Sequence, residues 1–148
     1  MYDELKKYNL SSDEKILTVD WEIQNGQVVK ETDLEEALVW RSEWENEVNS
    51  IFKKYDYLAL PVAQVYPFNK DIPYPSSING KQMETYHQWM DIVVLSSILG
   101  LPTISVPVGL NRNGLPMGMQ IIGKRKSDLD LIAFAKKYET IFLSLIHI

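Results

Sequence analysis

Three groups of side chains in this sequence have residue types and spacings that could do chemistry. Glu84, His87 and Asp91 fall at i, i+3 and i+7, so an unbroken helix would line up two carboxylates and an imidazole on one face, as in a proton relay or a metal site. A metal would call for more histidine or a second ligand cluster, and a solvated helix face accounts for the same three residues. Gly118-Met119-Gln120-Ile121-Ile122-Gly123-Lys124 has the spacing of a phosphate-binding loop. Arg125 stands where the magnesium-binding Ser or Thr belongs, and the four middle residues favour a strand over a loop. The third group is the serine pairs, as candidate nucleophiles: Ser11-Ser12 reads as a helix cap, Ser76-Ser77 lies in a proline-rich loop, and Ser96-Ser97 falls inside a helix. There is no cysteine, which excludes disulfides, thiolate metal sites and a cysteine nucleophile. Asn9-Leu10-Ser11 is a glycosylation triplet that matters only in a secreted protein.

The elements that must position such groups come from a chain of 148 residues, 45% hydrophobic and 24% charged, which is enough for one domain with a single core. Its charge is uneven. Residues 1–56 carry 14 acidic against 7 basic side chains, and residues 57–148 carry 6 against 8, which together give the net −5. An acidic chain without a basic stripe argues against a nucleic-acid surface, and the acidic half reads as solvated helix faces. The N-terminus lacks the apolar core of a signal peptide, and no apolar run approaches the roughly 20 residues that span a bilayer, so a cytoplasmic protein without membrane contact is expected.

Ser11 to Glu14 has capping-box spacing and predicts a short helix through Ile16, Val19 and Ile23 that ends at Gly26. Thr32 to Glu35 repeats the box ahead of the clearest helix, whose stripe is Leu34, Ala37, Leu38, Trp44, Val48, Ile51, Phe52 and Tyr55. Asp56 closes it, and Tyr57–Leu60 reads as a short buried strand stopped by Pro61. From Gln64 to Lys81 the prolines and Asn79-Gly80 break every period, which predicts a covering or functional loop. Helical spacing returns with Met83, Tyr86, Met90, Val93, Val94 and Ile98, and Gly100-Leu101-Pro102 stops it. Thr103–Val108 and Met117–Ile122 then read as a hairpin joined through Asn111-Arg112-Asn113-Gly114, its strands covered on both faces. Ser127 caps a last helix along Leu129, Ile132, Ala133, Ala135 and Tyr138. The order of elements is α/β or α+β, and three strands are few for so many helices, as if other strands of the sheet lay elsewhere.

Several of these residues also carry a resemblance. Tyr57-Leu58-Ala59-Leu60-Pro61, Trp89-Met90, Gly100-Leu101-Pro102-Thr103-Ile104-Ser105-Val106-Pro107-Val108-Gly109, Gly114-Leu115-Pro116-Met117-Gly118-Met119-Gln120-Ile121-Ile122-Gly123, Asp128 and Tyr138-Glu139 resemble, in order, the C-terminal third of amidase signature enzymes. The match runs over about Trp21 to Phe142. It implies an α/β fold, the C-terminal fragment of an α/β/α domain with a mixed sheet flanked by helices, and puts residues 1–142 in one portion of that domain. It also implies amide hydrolysis to an acid plus ammonia or amine by a Ser, cis-Ser, Lys triad, without a cofactor or metal. All three catalytic residues would lie upstream. None of the serine pairs here has the glycine neighbours of the family's serine motif, so this chain alone is expected to be inactive.

Fatty-acid amide hydrolases in that family line their acyl pocket with the segment around the strand-end proline, which implies such a role for Leu60, Pro61 and Ala63; Leu60 and Ala63 also fit as ordinary core. The implied partners are a small-molecule amide and the missing N-terminal part of the same domain, and a homo-oligomer is compatible with the sequence. The amidase-like component of the glutamyl-tRNA(Gln) amidotransferase complex shares the fold, but Tyr86-His87-Gln88-Trp89-Met90 and the proline-rich loop look more like stand-alone amidases. A non-enzymatic interaction module is the remaining alternative. Leu143 to Ile148 departs from the family and resembles translated sequencing adapter, so residues 143–148 are expected to be a non-native tail on a truncated gene, with Met1 an internal methionine or a false start.

Overall fold

A computed structural model describes residues 17–142. The expected cap at Ser11–Glu14 and the expected tail at 143–148 lie outside them. The chain divides into two compact units, 1–44 and 45–148.

In the first unit, helix α1 spans Leu17–Val28 and α2, Glu31–Phe52, begins. Gly26 does not end α1, which runs two residues beyond it; an interior glycine weakens a helix by about 1 kcal/mol relative to alanine without breaking it. The start of α2 also departs from expectation. Lys30, not Thr32, is the flanking residue: its carbonyl accepts from the Asp33 and Leu34 amides, and the Asp33 carboxylate accepts from the Lys30 amide at 2.9 Å. This is half a capping box, with the carboxylate on the third helical residue. Along the apolar stripe, Leu34 and Leu38 are exposed, whereas Val48 and Phe52, in the second unit, are buried.

The second unit is built on a three-stranded antiparallel sheet of β1 (Tyr57–Pro61), β4 (Thr103–Leu110) and β5 (Pro116–Gly123), in the order β1-β5-β4. The short arms β2 (Ser77–Ile78) and β3 (Lys81–Gln82) pair separately around Asn79 and Gly80, both at positive φ as a tight hairpin turn requires. Helix α3 (Tyr86–Trp89) is followed by α4 (Asp91–Leu99), and α5 (Asp128–Phe142) closes the fold. The expected single helix from Met83 to Ile98 is interrupted at Met90. Gly100 does stop α4. At φ 60° it lets its own amide reach the Ser97 carbonyl and the Leu101 amide reach the Ser96 carbonyl, the paired bonds of a Schellman motif. The amide of Gly123 then binds the Pro102 carbonyl, so the helix exit is tied to the far end of β5.

Within the described residues β4 is covered on one face. Ile104 and Val106 face α5 and pack with Ile121, Leu131, Phe134, Ala135 and Tyr138, while Thr103, Ser105 and Pro107 on the other face are exposed. Only β5, with a partner on each side, is buried along its last four residues, Gln120 to Gly123. Register slips once, between Pro107 and Gly109, where Val108 is the extra residue of a bulge and Gly109 adopts φ 120°. There the Tyr138 hydroxyl donates to the Pro107 carbonyl at 2.9 Å, tying α5 to the β4 edge.

Apolar side chains remain uncovered around this unit: Val108 (48% exposed), Leu110 (63%), Leu129 (81%) and Ile132 (57%). The chain expressed alone is therefore expected to bind a hydrophobic dye such as ANS or to self-associate. Dye-free, cooperative unfolding of a monomer would contradict this and favour a self-sufficient interaction module.

Candidate active-site wall

Leu60, Pro61 and Ala63 sit where β1 leaves the sheet. Leu60 pairs in register with Gln120 and Pro61 with Met119, and one further bond, from the Val62 amide to the Gly118 carbonyl at 3.2 Å, carries the pairing past the proline. Leu60 and Ala63 are half-buried and Pro61 is exposed.

The chain returns toward the sheet at α4, and glutamine side chains join the departing and returning segments. Gln120, 3% exposed, donates from Nε2 to the Pro61 carbonyl at 2.9 Å and to the Ile92 carbonyl at 3.0 Å. Gln64 donates to the Gln88 carbonyl at 2.8 Å, and Gln88 Oε1 accepts from the Glu84 amide at 2.7 Å. A hydrogen bond of this kind contributes about 0.5–1.5 kcal/mol, and the Gln120 amide makes two of them. Sequence reasoning placed Gln120 only inside a motif. The signal was there, a lone amide in an apolar strand, but its partners are 59 and 28 residues away.

Between those segments lies an aromatic cluster. Phe68 meets Trp89 edge-on with ring centroids 5.6 Å apart, and Tyr86 meets Trp89 and Tyr74 at 6.0 Å. Such edge-to-face pairs add to what area burial provides. Trp89 Nε1 is buried and has no acceptor among the described residues.

The other candidates are not brought together. Glu84 precedes α3, His87 lies within it and Asp91 opens α4 across the interruption at Met90; all three are exposed. Among the described residues no group of three His, Cys, Asp or Glu is placed to hold a metal ion. Gly118 to Gly123 is extended strand. Ser77 belongs to β2, and the Ser96 and Ser97 hydroxyls both donate to the Val93 carbonyl.

Grooves mark the surface of this unit, among them two lined by its apolar residues. One, of about 510 Å³, runs between β4 and α5 past Ile104, Ser105, Pro107, Ile132 and Tyr138. The other, about 280 Å³, lies among Glu45, Phe52, Leu99 and Arg125. Leu60, Pro61 and Ala63 line neither. At the second groove the Arg125 guanidinium donates to the Leu99 carbonyl at 2.8 Å and to Glu45 at 3.2 Å, so one cation holds the end of α4 against α2. Arg125→Ala is expected to destabilise the unit by about 1–2 kcal/mol, read as a lowered urea midpoint in pulse proteolysis. Arg125→Lys should recover only part of that loss, because an ammonium lacks the planar fork.

No helix among the described residues is long and apolar enough to cross a membrane. A family model described as Amidase matches residues 1–132. The chain is 34% identical over 96 residues to a fatty acid amide hydrolase of Oryza sativa subsp. indica, covering 64% of this chain and 16% of that one. It is 33% identical over 89 residues to a glutamyl-tRNA(Gln) amidotransferase component from Borreliella afzelii (strain PKo), covering 60% of this chain and 17% of that protein. Its structure resembles that of a bacterial aryl acylamidase of the amidase signature family, with TM-score 0.78 and 28% identity over 94% of this chain and 30% of that one. The chain thus spans about a sixth of the length of these curated relatives and under a third of the solved one. The match over most of its length shows that this chain belongs to the amidase signature family.

Proposed function

We propose that residues 1–142 are the C-terminal portion of an amidase that hydrolyses a carboxylic amide to an acid and ammonia or an amine. The observation that carries this reading is the agreement with the aryl acylamidase across 94% of this chain and only 30% of that enzyme. In the proposed reaction an upstream lysine takes a proton through a bridging serine, and a second serine attacks the amide carbonyl. Backbone N–H groups hold the oxyanion; as the adduct collapses the C–N bond breaks, the proton taken up by the lysine passes to the nitrogen, ammonia or the amine leaves, and water then hydrolyses the acyl-serine ester to the acid. The part of this chain is the scaffold: β4 and β5 carry the sheet, and Leu60, Pro61 and Ala63 form a wall of the acyl pocket. The substrate is then a small-molecule amide, the principal partner is the upstream part of the same domain, and the setting is cytoplasmic.

The 33% identity to the amidotransferase component supports a second reading, in which the protein works within a complex. Recovery of the upstream coding sequence tests the enzyme assignment. A lysine followed downstream by a glycine-flanked serine pair is expected, and a locus without them would overturn it. The complete protein acting alone on free amides would separate the first reading from the second.

A further inference from the structure

Resting on the reading of Leu60, Pro61 and Ala63 as pocket wall, we infer that Gln120 is the positioning residue that holds this wall in place and thereby governs which acyl chains the enzyme accepts. The segment Val62–Asp91 leaves the sheet after Pro61 and comes back to it as helix α4 begins, and the carbonyls of Pro61 and of Ile92 in the first turn of that helix are the ones that Gln120 Nε2 binds, at 2.9 and 3.0 Å. One carboxamide closes the neck of the whole excursion. Its own placement is firm, because it projects from β5, the strand paired on both sides, and is 3% exposed. Leu60 is its direct cross-strand neighbour, so the side chain that pins the neck also packs beside the wall. A methionine or leucine would fill the same volume. What only an amide supplies here is two N–H donors on one nitrogen, one for each side of the neck. Gln64 and Gln88 repeat the device farther out, fixing the chain just beyond Ala63 to α3.

The test uses the complete enzyme with its upstream part and a series of n-alkanoyl 4-nitroanilides from acetyl to octanoyl. Gln120→Met keeps the volume and removes both donors, and Gln120→Glu keeps the shape, offers at most one O–H donor in place of the two N–H groups, and stands in should the first variant fail to fold. Either variant is expected to raise KM for the octanoyl probe about tenfold while kcat stays within about threefold and KM for the acetyl probe within about twofold. Amide hydrogen exchange should show protection lost at Val62, whose N–H bonds Gly118 across the neck, and kept along the β4–β5 hairpin. A uniform fall in kcat and kcat/KM across the series, or an unchanged profile, would overturn the inference if Leu60→Ala still alters chain-length preference. If Leu60→Ala leaves the preference unchanged, the pocket reading itself fails, and this inference with it.

Discussion

Gly123→Ala is expected to lower the stability of the second unit by about 2 kcal/mol or more, the largest loss for the smallest added group in this chain. An added Cβ would stand 2.5 Å from Ser127 Oγ, closer than atoms tolerate, with Pro102 at 3.6 Å and Leu131 at 3.7 Å behind it. Ser127 has little freedom to yield, because its hydroxyl donates to the Lys124 carbonyl at 2.7 Å and its own carbonyl accepts the first amide bond of α5, from Leu131. Rotating the hydroxyl away would give up its bond to Lys124, and shifting the backbone instead would move the start of α5, where Leu131, 3% exposed, belongs to the core cluster with Val106 and Ile121. The Gly123 amide bond to Pro102 would be strained as well. Urea pulse proteolysis gives the measurement. Ser127→Ala on the Gly123→Ala background should recover roughly half of the loss, since it removes the clashing atom along with one hydrogen bond. A single-variant loss under about 0.5 kcal/mol would mean that this junction yields more easily than its hydrogen bonds imply.

The second large effect is catalytic. The 148-residue chain by itself is expected to hydrolyse no amide above the uncatalysed rate, whereas the complete polypeptide should exceed that rate by on the order of 10⁶-fold or more. The hydroxyls of Ser42, Ser96, Ser97 and Ser127 donate to backbone carbonyls three or four residues earlier, the local bonding of structural serines with no base beside them in these bonds. A fluorophosphonate probe makes the contrast visible. It should label the complete enzyme and leave the chain unmarked. Stoichiometric labelling of the chain alone would place a nucleophile within these residues and sink the scaffold reading.

What the sequence made legible was local punctuation. Gly100 and Gly114 act through backbone conformation and Asn111 through its side chain, all within a few residues, and the hairpin they frame forms within two residues of its expected limits. At the tip Asn111 Oδ1 accepts from the amides of Asn113 and Leu115, chemistry readable from the Asn and Gly alone. Where a tertiary partner decides, reading failed. Periodicity ran smoothly through Met90, yet the helix breaks there, and β4 carries an apolar run although one of its faces is exposed. The start of α2 was misplaced because a lysine backbone with a carboxylate three residues on can replace a side-chain cap. Of the candidate wall, Leu60, Pro61 and Ala63 were reachable only through family resemblance, and the Gln120 clamp only once the strands are folded against one another.

The closed neck after β1 has a consequence for how such a protein can change. Because Val62–Asp91 begins and ends at one amide and its rings Phe68 and Tyr74 are packed against α3, the exposed turn between those rings, residues 69–73, is the part that can lengthen or shorten at little cost. Loop closure grows more costly only with the logarithm of length, about 0.6 kcal/mol for each doubling. That turn is in this respect an exchangeable cassette, open to insertion while the sheet and its clamp keep their register.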